Sequence, residues 1–171
     1  MTRKSFIYLF LLFLSFQTGL YAEKVRYVID GDTFILQDNQ RVRMIGINAP
    51  ETSHRKYHKK GQSFGKEAKY YLEDLIKGKD VDLKSDEEKF DRFGRRLAYV
   101  YLKDGTFVNR KMVEDGYAAA YQKFSFQYKK EFTELETRAQ AAKRGMWSQK
   151  QSSSLNPVNW KAVKRWFKTL Q

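Results

Sequence analysis

Residues 28–36 read V28-I29-D30-G31-D32-T33-F34-I35-L36. An Asp-Gly step between two runs of β-branched and aromatic residues is typical of a tight turn between two hairpin strands. Asp30 and Gly31 are sufficient for that turn. The turn does not require the second aspartate, Asp32, so its side chain is a candidate for chemistry in a cleft beside the hairpin.

The strand pattern continues on both sides of this hairpin. Alternating apolar and polar residues predict strands over 25–29, 33–36 and 41–47, which together form a three-strand meander that Pro50 ends. The same alternation predicts two further strands, over 81–83 and 96–102. Five short strands in one small domain favour a β-barrel.

Helical spacing of apolar residues separates these strands. It predicts a helix over 63–76 that Gly78 ends, and a last long helix over 128–146. Asn109 is a suitable N-cap for a short helix through Val113, with Gly116 after its end. The sequence therefore predicts an α+β fold, a five-stranded Greek-key β-barrel of the oligonucleotide-binding (OB) type with three helices.

The chain is strongly basic. It has 171 residues, 33 Lys and Arg against 20 Asp and Glu, a formal net charge of +13 and no cysteine. Disulfide-based folds are therefore excluded, and a polyanionic partner such as nucleic acid is favoured. An anionic membrane or cell-wall surface would also explain the charge.

Both ends differ in composition from the centre. Residues 1–22 have a basic start (MTRK), an apolar run and a small residue at Ala22, as in a secretory signal peptide. Cleavage there would lower the net charge of +13 by two, to +11, and would direct the protein out of the cytoplasm, to the periplasm or medium. An uncleaved anchor remains an alternative. We assign residues 23–147 to the folded domain and 148–171 to a polar linker followed by a basic, aromatic tail.

Three motifs carry the residues suited to catalysis: D-G-D-T at 30–33, R-M-I-G-I-N-A-P-E-T at 43–52 and D-R-F-G-R-R-L-A-Y-V-Y at 91–101. Each lies at the edge of a predicted strand. Together they supply carboxylates for a hard cation and guanidinium groups for phosphate oxygens. Those groups are what hydrolysis of a phosphodiester needs.

The three motifs, in this order, resemble the staphylococcal nuclease (thermonuclease) family over roughly residues 24–147. The resemblance implies a calcium-dependent enzyme that cleaves DNA and RNA with little sequence preference and leaves 3′-phosphate ends. It also implies that Asp32, Asn48 and the backbone carbonyl of Ala49 ligate calcium. Asp30 would lie nearby, outside the direct ligands of the ion or joined to it through a bound water.

The resemblance also assigns catalytic and substrate-binding roles. Glu51 stands where the family's carboxylate activates or orients the attacking water, and Arg43 and Arg95 stand where two arginines bind the scissile phosphate. Substrate contacts are expected from Arg92, Phe93 and Tyr121. We infer no protein partner and expect a monomer.

Two positions depart from the family pattern. Asn48 replaces a frequent aspartate, which predicts weaker calcium binding because the ligand set loses a charge. Phe93 replaces a tyrosine, so base stacking would be kept while a hydrogen bond to phosphate would be lost.

Other interpretations remain open at this stage. His54 and His58 have the spacing of a helical zinc site, but a solvated basic loop is favoured because no carboxylate or cysteine accompanies them. A catalytically silent nucleic-acid-binding barrel would use the same groove and charge, although it would not need the full set of carboxylates and arginines. A surface protein held by its basic tail would explain the tail and none of the motifs.

Overall fold

The computed structural model describes residues 23–53 and 61–148. The strands are β1 (Glu23–Asp30), β2 (Thr33–Leu36), β3 (Arg41–Met44), β4 (Ile47–Asn48), β5 (Asp80–Lys84), β6 (Arg96–Leu102) and β7 (Ala119–Ala120). The helices are α1 (Gly65–Ile76), α2 (Val108–Glu114) and α3 (Lys129–Ala141), followed by a 3₁₀ turn at Gly145–Trp147. In the described ranges, no helix has the length and apolar character needed to cross a membrane.

Five strands close into a barrel in the order β1-β2-β3-β6-β5. All neighbours are antiparallel except β3 and β6, which run parallel. The core is built from inward side chains of these strands, for example Val28, Phe34 and Val42, which lie side by side across β1, β2 and β3 and are fully buried. The five-stranded α+β barrel with three helices is confirmed.

The expected third strand of the meander is interrupted. Alternation predicts one strand over 41–47, but β3 ends at Met44 because Gly46 has a positive φ of 78°, which redirects the chain. A side chain at Gly46 would also collide with the ring of Phe126, 2.5 Å from the Cβ position. The chain then starts β4, which leaves the barrel and pairs with β7. This detour carries Asn48 away from the barrel wall.

The prediction that Asn109 caps a helix is wrong. Helix α2 begins at Val108, and Asn109 lies inside it, fully buried. Its side chain accepts the N–H of Val100 at 2.9 Å and donates to the carbonyl of Ile45 at 2.8 Å. These bonds satisfy buried backbone groups of the barrel, so the asparagine joins α2 to the barrel.

The last helix is shorter than the predicted 128–146. It ends at Ala141, and the chain turns at Lys143 and Gly145, both with positive φ. Gly145 lies against the carbonyl of Gly116, 2.3 Å from the position of an added Cβ, so no side chain fits there. The turn fastens the end of the described chain to the segment after α2.

Three predictions lie outside the described residues. They are the signal peptide at 1–22, the loop that carries His54 and His58, and the basic tail beyond Ser148.

Candidate active site

The turn between β1 and β2 is held tightly against its surroundings. A Cβ added to Gly31 would lie 2.6 Å from the Cβ of Ala49 and 2.8 Å from that of Ala68 on α1. The N–H of Asp32 donates to the Asp30 carboxylate at 3.2 Å. The turn therefore fixes both carboxylates next to the segment that follows β4.

Asp32 is 3% exposed and is bonded through both carboxylate oxygens. Oδ1 accepts the hydroxyl of Thr33 at 2.9 Å, and Oδ2 accepts the backbone N–H of Ala49 at 2.8 Å. Oδ2 also forms an ion pair with Nη1 of Arg43. A buried carboxylate with these partners keeps one orientation.

Arg43 reaches this carboxylate from the outer side of β3. Its side chain is 15% exposed, and its Nη2 donates to the carbonyl of Ile47 at 3.0 Å. Two contacts, one with Asp32 and one with the Ile47 carbonyl, thus hold the guanidinium beside the turn between β1 and β2. Predicted as a phosphate-binding group, Arg43 lies in direct contact with the predicted metal ligand Asp32.

The carboxyl group of Asp30 lies among other carboxylates. Burial raises its pKa to about 7, and the charges of Asp32 and Glu51 act in the same direction. The carboxylate of Glu51 is thus near this pair. Repulsion between carboxylates is what a bound cation relieves, and carboxylate oxygens suit a hard cation.

Asn48 and Ala49 lie at the end of β4, where the N–H of Ala49 contacts the carboxylate of Asp32. Asn48 is exposed at the end of β4, and Ala49 is buried with its N–H on Asp32. Within residues 23–53 and 61–148, no group of three or more His, Cys, Asp or Glu could hold a metal ion. A metal here would need ligands of other types, such as an amide and a backbone carbonyl.

Glu51 is positioned through its backbone. Gln62 binds it twice: its side-chain Oε1 accepts the Glu51 N–H at 3.0 Å, and its own N–H donates to the Glu51 carbonyl at 2.9 Å. Gly65 at the start of α1 leaves room for the same carbonyl, only 2.2 Å from the position of an added Cβ. The motifs did not point to Gln62, because its bonds go to the main chain and impose no recognisable pattern on the sequence.

A second group of predicted residues lies in the loop before β6. The Asp91 side chain accepts the N–H of Phe93 at 2.9 Å and that of Arg95 at 3.0 Å, and the Arg95 Nε donates to it at 2.7 Å. Burial alone would raise the pKa of Asp91, but these bonds lower it overall. The loop is therefore folded around Asp91, a residue to which the resemblance assigned no role.

Phe93 projects from that loop and is 66% exposed. The guanidinium carbon of Arg92 lies 4.8 Å from its ring centre, and that of Arg95 lies 5.5 Å from it. An exposed ring flanked by two guanidinium groups can stack on a base while the cations contact phosphates.

The parallel pairing of β3 with β6 relates the two groups of residues. Arg43 pairs with Leu97, and Val42 pairs with Arg96, so the loop that carries Arg95 ends beside the start of β3. Tyr121, the remaining predicted substrate contact, follows β7, and its N–H donates to the Gly46 carbonyl at 2.8 Å. Its half-buried ring packs against exposed Phe124.

Comparison with known proteins shows which protein family the chain resembles. A family profile described as "Staphylococcal nuclease homologue" matches residues 41–149. The chain is 36% identical over 129 residues to "Thermonuclease" of Staphylococcus hyicus, a match that covers 73% of this chain and 75% of that protein. It is 34% identical over 128 residues to "Uncharacterized endonuclease" of Escherichia coli O157:H7, covering 73% and 76%.

A further relative is "Thermonuclease" of Staphylococcus intermedius, 40% identical over 99 residues, where the match covers 56% of this chain and 57% of that protein. The chain thus spans less than two thirds of some relatives and about three quarters of others. The family profile spans the arginine loop and three of the five barrel strands, β3, β5 and β6. The chain belongs to the staphylococcal nuclease family.

Proposed function

We propose that the chain is a nuclease that hydrolyses phosphodiester bonds in DNA and RNA with little sequence preference. The observation that carries the proposal is the contact between the buried Asp32 and the guanidinium of Arg43, with a second carboxyl group, Asp30, in the same turn. A groove made only for binding nucleic acid has no use for repelling carboxylates beside the phosphate, because they weaken binding. The names of the relatives, thermonuclease and endonuclease, support the same reaction.

In the proposed reaction, a water oxygen attacks phosphorus and the bond from phosphorus to the 5′ oxygen breaks. Glu51 accepts a proton from the attacking water or orients it, and the departing 5′ oxygen takes a proton from solvent. The phosphate stays on the 3′ oxygen. Arg43 and Arg95 donate hydrogen bonds to the non-bridging oxygens, where negative charge develops.

We propose calcium as the cofactor. Asp32, Asn48 and the carbonyl of Ala49 would hold it, with Asp30 adjacent. When bound, the ion supplies positive charge to a phosphate oxygen. The two carboxyl groups in one turn, close to the exposed amide of Asn48, support a cation at this place, because a cation would offset their charge.

Export to the periplasm or medium is also proposed, from the leader-like residues 1–22. The first barrel residue, Glu23, accepts two hydrogen bonds from Arg96 at 2.7 and 2.8 Å, so cleavage after Ala22 would leave the barrel intact. Sequencing the amino terminus of the protein recovered from outside the cytoplasm tests this. A protein that keeps residues 1–22 there would be an anchored form.

The experiment for the nuclease function uses linear DNA with calcium or with a chelator, followed by analysis of the new ends. We expect cleavage only with calcium, and 3′-phosphate ends. Glu51→Ala and Arg95→Ala should each lower turnover about a hundredfold or more while the fold is kept. Arg138→Ala, on the exposed side of α3, is the matched control and should cleave normally.

Near-normal cleavage by a folded Arg95→Ala protein would contradict the site assignment. Binding of DNA without cleavage at any calcium concentration would favour the alternative, a silent nucleic-acid-binding barrel.

A further inference from the structure

The outer surface of β1, β2 and β3 carries a row of cationic and apolar side chains that the proposed reaction does not use. The row consists of Arg26 and Tyr27 on β1, Ile35 on β2, Arg41 on β3 and Lys69 on α1. We call these five residues the outer row.

An irregularity in β1 places two consecutive side chains of the row outside the barrel. Val25 pairs with Leu36 and Tyr27 with Ile35, so Arg26 is an extra, bulged residue between two regular pairs. A regular strand would direct one of two neighbours inward. Here Arg26 and Tyr27 are both exposed, and Tyr27 retains 46% of its accessible surface.

Strand register aligns the rest of the row. Tyr27 pairs with Ile35, and Ile35 pairs with Arg41, so the three lie side by side across three strands. From α1, the Lys69 Nζ lies 4.8 Å from the centre of the Tyr27 ring and donates to its hydroxyl at 3.2 Å. The result is an aromatic and an aliphatic side chain between two cations.

The outer row continues directly into the candidate active site. Val42 and Met44 point into the core, so Arg41 and Arg43 share the outer side of β3, about 7 Å apart along the strand. The Val42–Arg96 pair also brings Arg41 beside Arg95, and the Gln40 Nε2 donates to the Gly94 carbonyl at 3.4 Å. Arg41 is therefore next to both proposed phosphate-binding arginines.

The chemistry of the row suits one ligand class. Its cations match phosphates, and an exposed tyrosine beside an isoleucine offers a surface on which an unpaired base can stack. The turn between β2 and β3 contains one aspartate, Asp38. Its carboxylate already accepts the backbone N–H of Gln40 at 2.8 Å. A duplex presents phosphates but keeps its base faces stacked, so it cannot use Tyr27.

We propose that the outer row binds a single-stranded stretch of nucleic acid, as the continuation of the strand held at Arg43 and Arg95. Arg41, with Arg26 and Lys69, contacts successive phosphates, and Tyr27 stacks on a base. The proposal rests on the proposed function in taking nucleic acid as the ligand. It adds that single strands are bound over a longer path than the site of cleavage.

The test measures equilibrium binding by the full chain, with chelator present to prevent cleavage. The probes are a labelled oligothymidine and an abasic oligonucleotide of the same length, titrated at several salt concentrations. Tyr27→Ser should weaken binding of oligothymidine about fivefold or more and leave the abasic strand unchanged. Tyr27→Phe keeps the ring and should bind both probes like the wild type.

Arg41→Gln should reduce the slope of log affinity against log salt by about 0.7 for both probes. Arg138→Gln is the control, because it removes one exposed arginine on α3 that is not part of the outer row. Its slope should match the wild type. The thermal unfolding of each variant is checked first, and Arg41→Gln carries the test if Tyr27→Ser does not fold.

Wild-type binding by both Tyr27→Ser and Arg41→Gln overturns the proposal. So does an equal loss by Tyr27→Ser on both probes, which excludes stacking. If the variants lose affinity for phosphatidylglycerol vesicles and not for oligothymidine, the row faces a membrane and the proposal is wrong. Cleavage is assayed separately on the wild type, so a chain that never cleaves refutes the proposed nuclease and leaves the binding result to decide the outer row.

Discussion

Asp32 is fixed in place by protein groups alone. The hydroxyl of Thr33 and the N–H of Ala49 bind its two oxygens, and Arg43 pairs with one of them. A carboxylate positioned in this way needs little rearrangement to accept a cation, which is how a site avoids an energetic cost at the moment of reaction. The second anchor of Arg43 on the Ile47 carbonyl allows its guanidinium to turn toward a phosphate without leaving the site.

A prediction for Gln62 follows from its two bonds to Glu51. Gln62→Ala removes the acceptor of the Glu51 N–H but keeps the backbone bond to the Glu51 carbonyl, so the main chain that carries this carboxylate is held by one bond fewer. We expect kcat to fall about tenfold or more, with KM little changed, because a small displacement of a catalytic group is costly. Gln62→Glu keeps an acceptor oxygen and should recover most of the loss.

The control for Gln62 is Gln140→Ala, an exposed glutamine on α3 whose side chain lies 3.4 Å from Glu136. It should retain normal kinetics. A Gln62→Ala protein with unchanged kcat would show that Glu51 keeps its position without this clamp.

A second prediction at this scale concerns Asn48. Asn48→Asp adds a carboxylate to the proposed calcium ligands, and affinity for this ion rises with ligand charge. Calcium binding should raise the melting temperature. The variant should reach half of that rise, and half-maximal cleavage, at a severalfold lower calcium concentration than the wild type. Without calcium it should melt at a lower temperature than the wild type, since the new charge adds to the repulsion around Asp30 and Asp32. Coincident calcium titrations would place residue 48 outside the metal site.

Among the secondary-structure elements, β4 and β7 are the pair that sequence patterns missed. Both have two residues, too few for any alternation to be recognised. What creates them is Gly46, whose positive φ turns the chain, and the ring of Phe126, which occupies the space that a side chain would need. The longer strands and helices were predictable because each buries one face in the barrel core, and burial of one face is what periodicity reports.

A contact between β7 and α3 supports a prediction about the pH dependence of stability. Glu136 on α3 accepts the N–H of Ala120 at 3.3 Å, and burial raises its pKa above the ordinary value for glutamate. The folded state therefore binds this proton more tightly than the unfolded state, so the contribution of Glu136 to stability is lost as pH rises from the unfolded value through the folded one. Glu136→Gln keeps an acceptor for Ala120 and has no charge.

The measurement for Glu136 is the melting temperature of the two proteins from about pH 4 to about pH 8, a range that begins near the ordinary pKa of glutamate and extends well above it. We expect the variant to gain stability relative to the wild type as pH increases. A constant difference between the two curves would mean that Glu136 is as well solvated in the folded chain as in the unfolded one. Glu134→Gln, at an exposed position of the same helix, is the control for the loss of one carboxylate from α3.

At the scale of the whole molecule, the sequence predicted the features that depend on a repeating pattern of residues. It did not predict the features that depend on one side chain joining distant segments of the chain. The barrel and the motif residues Asp32, Arg43 and Arg95 were available from alternation and from the family resemblance. Asn109 was assigned to a helix cap because asparagine is common there, yet its amide fills the gap between Ile45 and Val100 inside the core. Local sequence does not reveal such long-range bonds.

The last prediction concerns the segment beyond the described fold. The described chain is fastened at its end by the N–H of Met146 on the Gly116 carbonyl at 2.9 Å, and every candidate catalytic residue precedes that point. Beyond Ser148 the sequence has five cationic and no acidic residues: Lys150, Lys161, Lys164, Arg165 and Lys168. Truncation after Ser148 should therefore keep turnover at saturating substrate, weaken binding to DNA and flatten its salt dependence, by about 0.9 in slope for each phosphate of duplex DNA that the tail neutralises. Titration of both chains with duplex DNA at several salt concentrations measures this, with a melting curve of each. An unchanged slope would mean that the tail binds no phosphate, and a truncated chain that does not fold would mean that the tail packs on the domain.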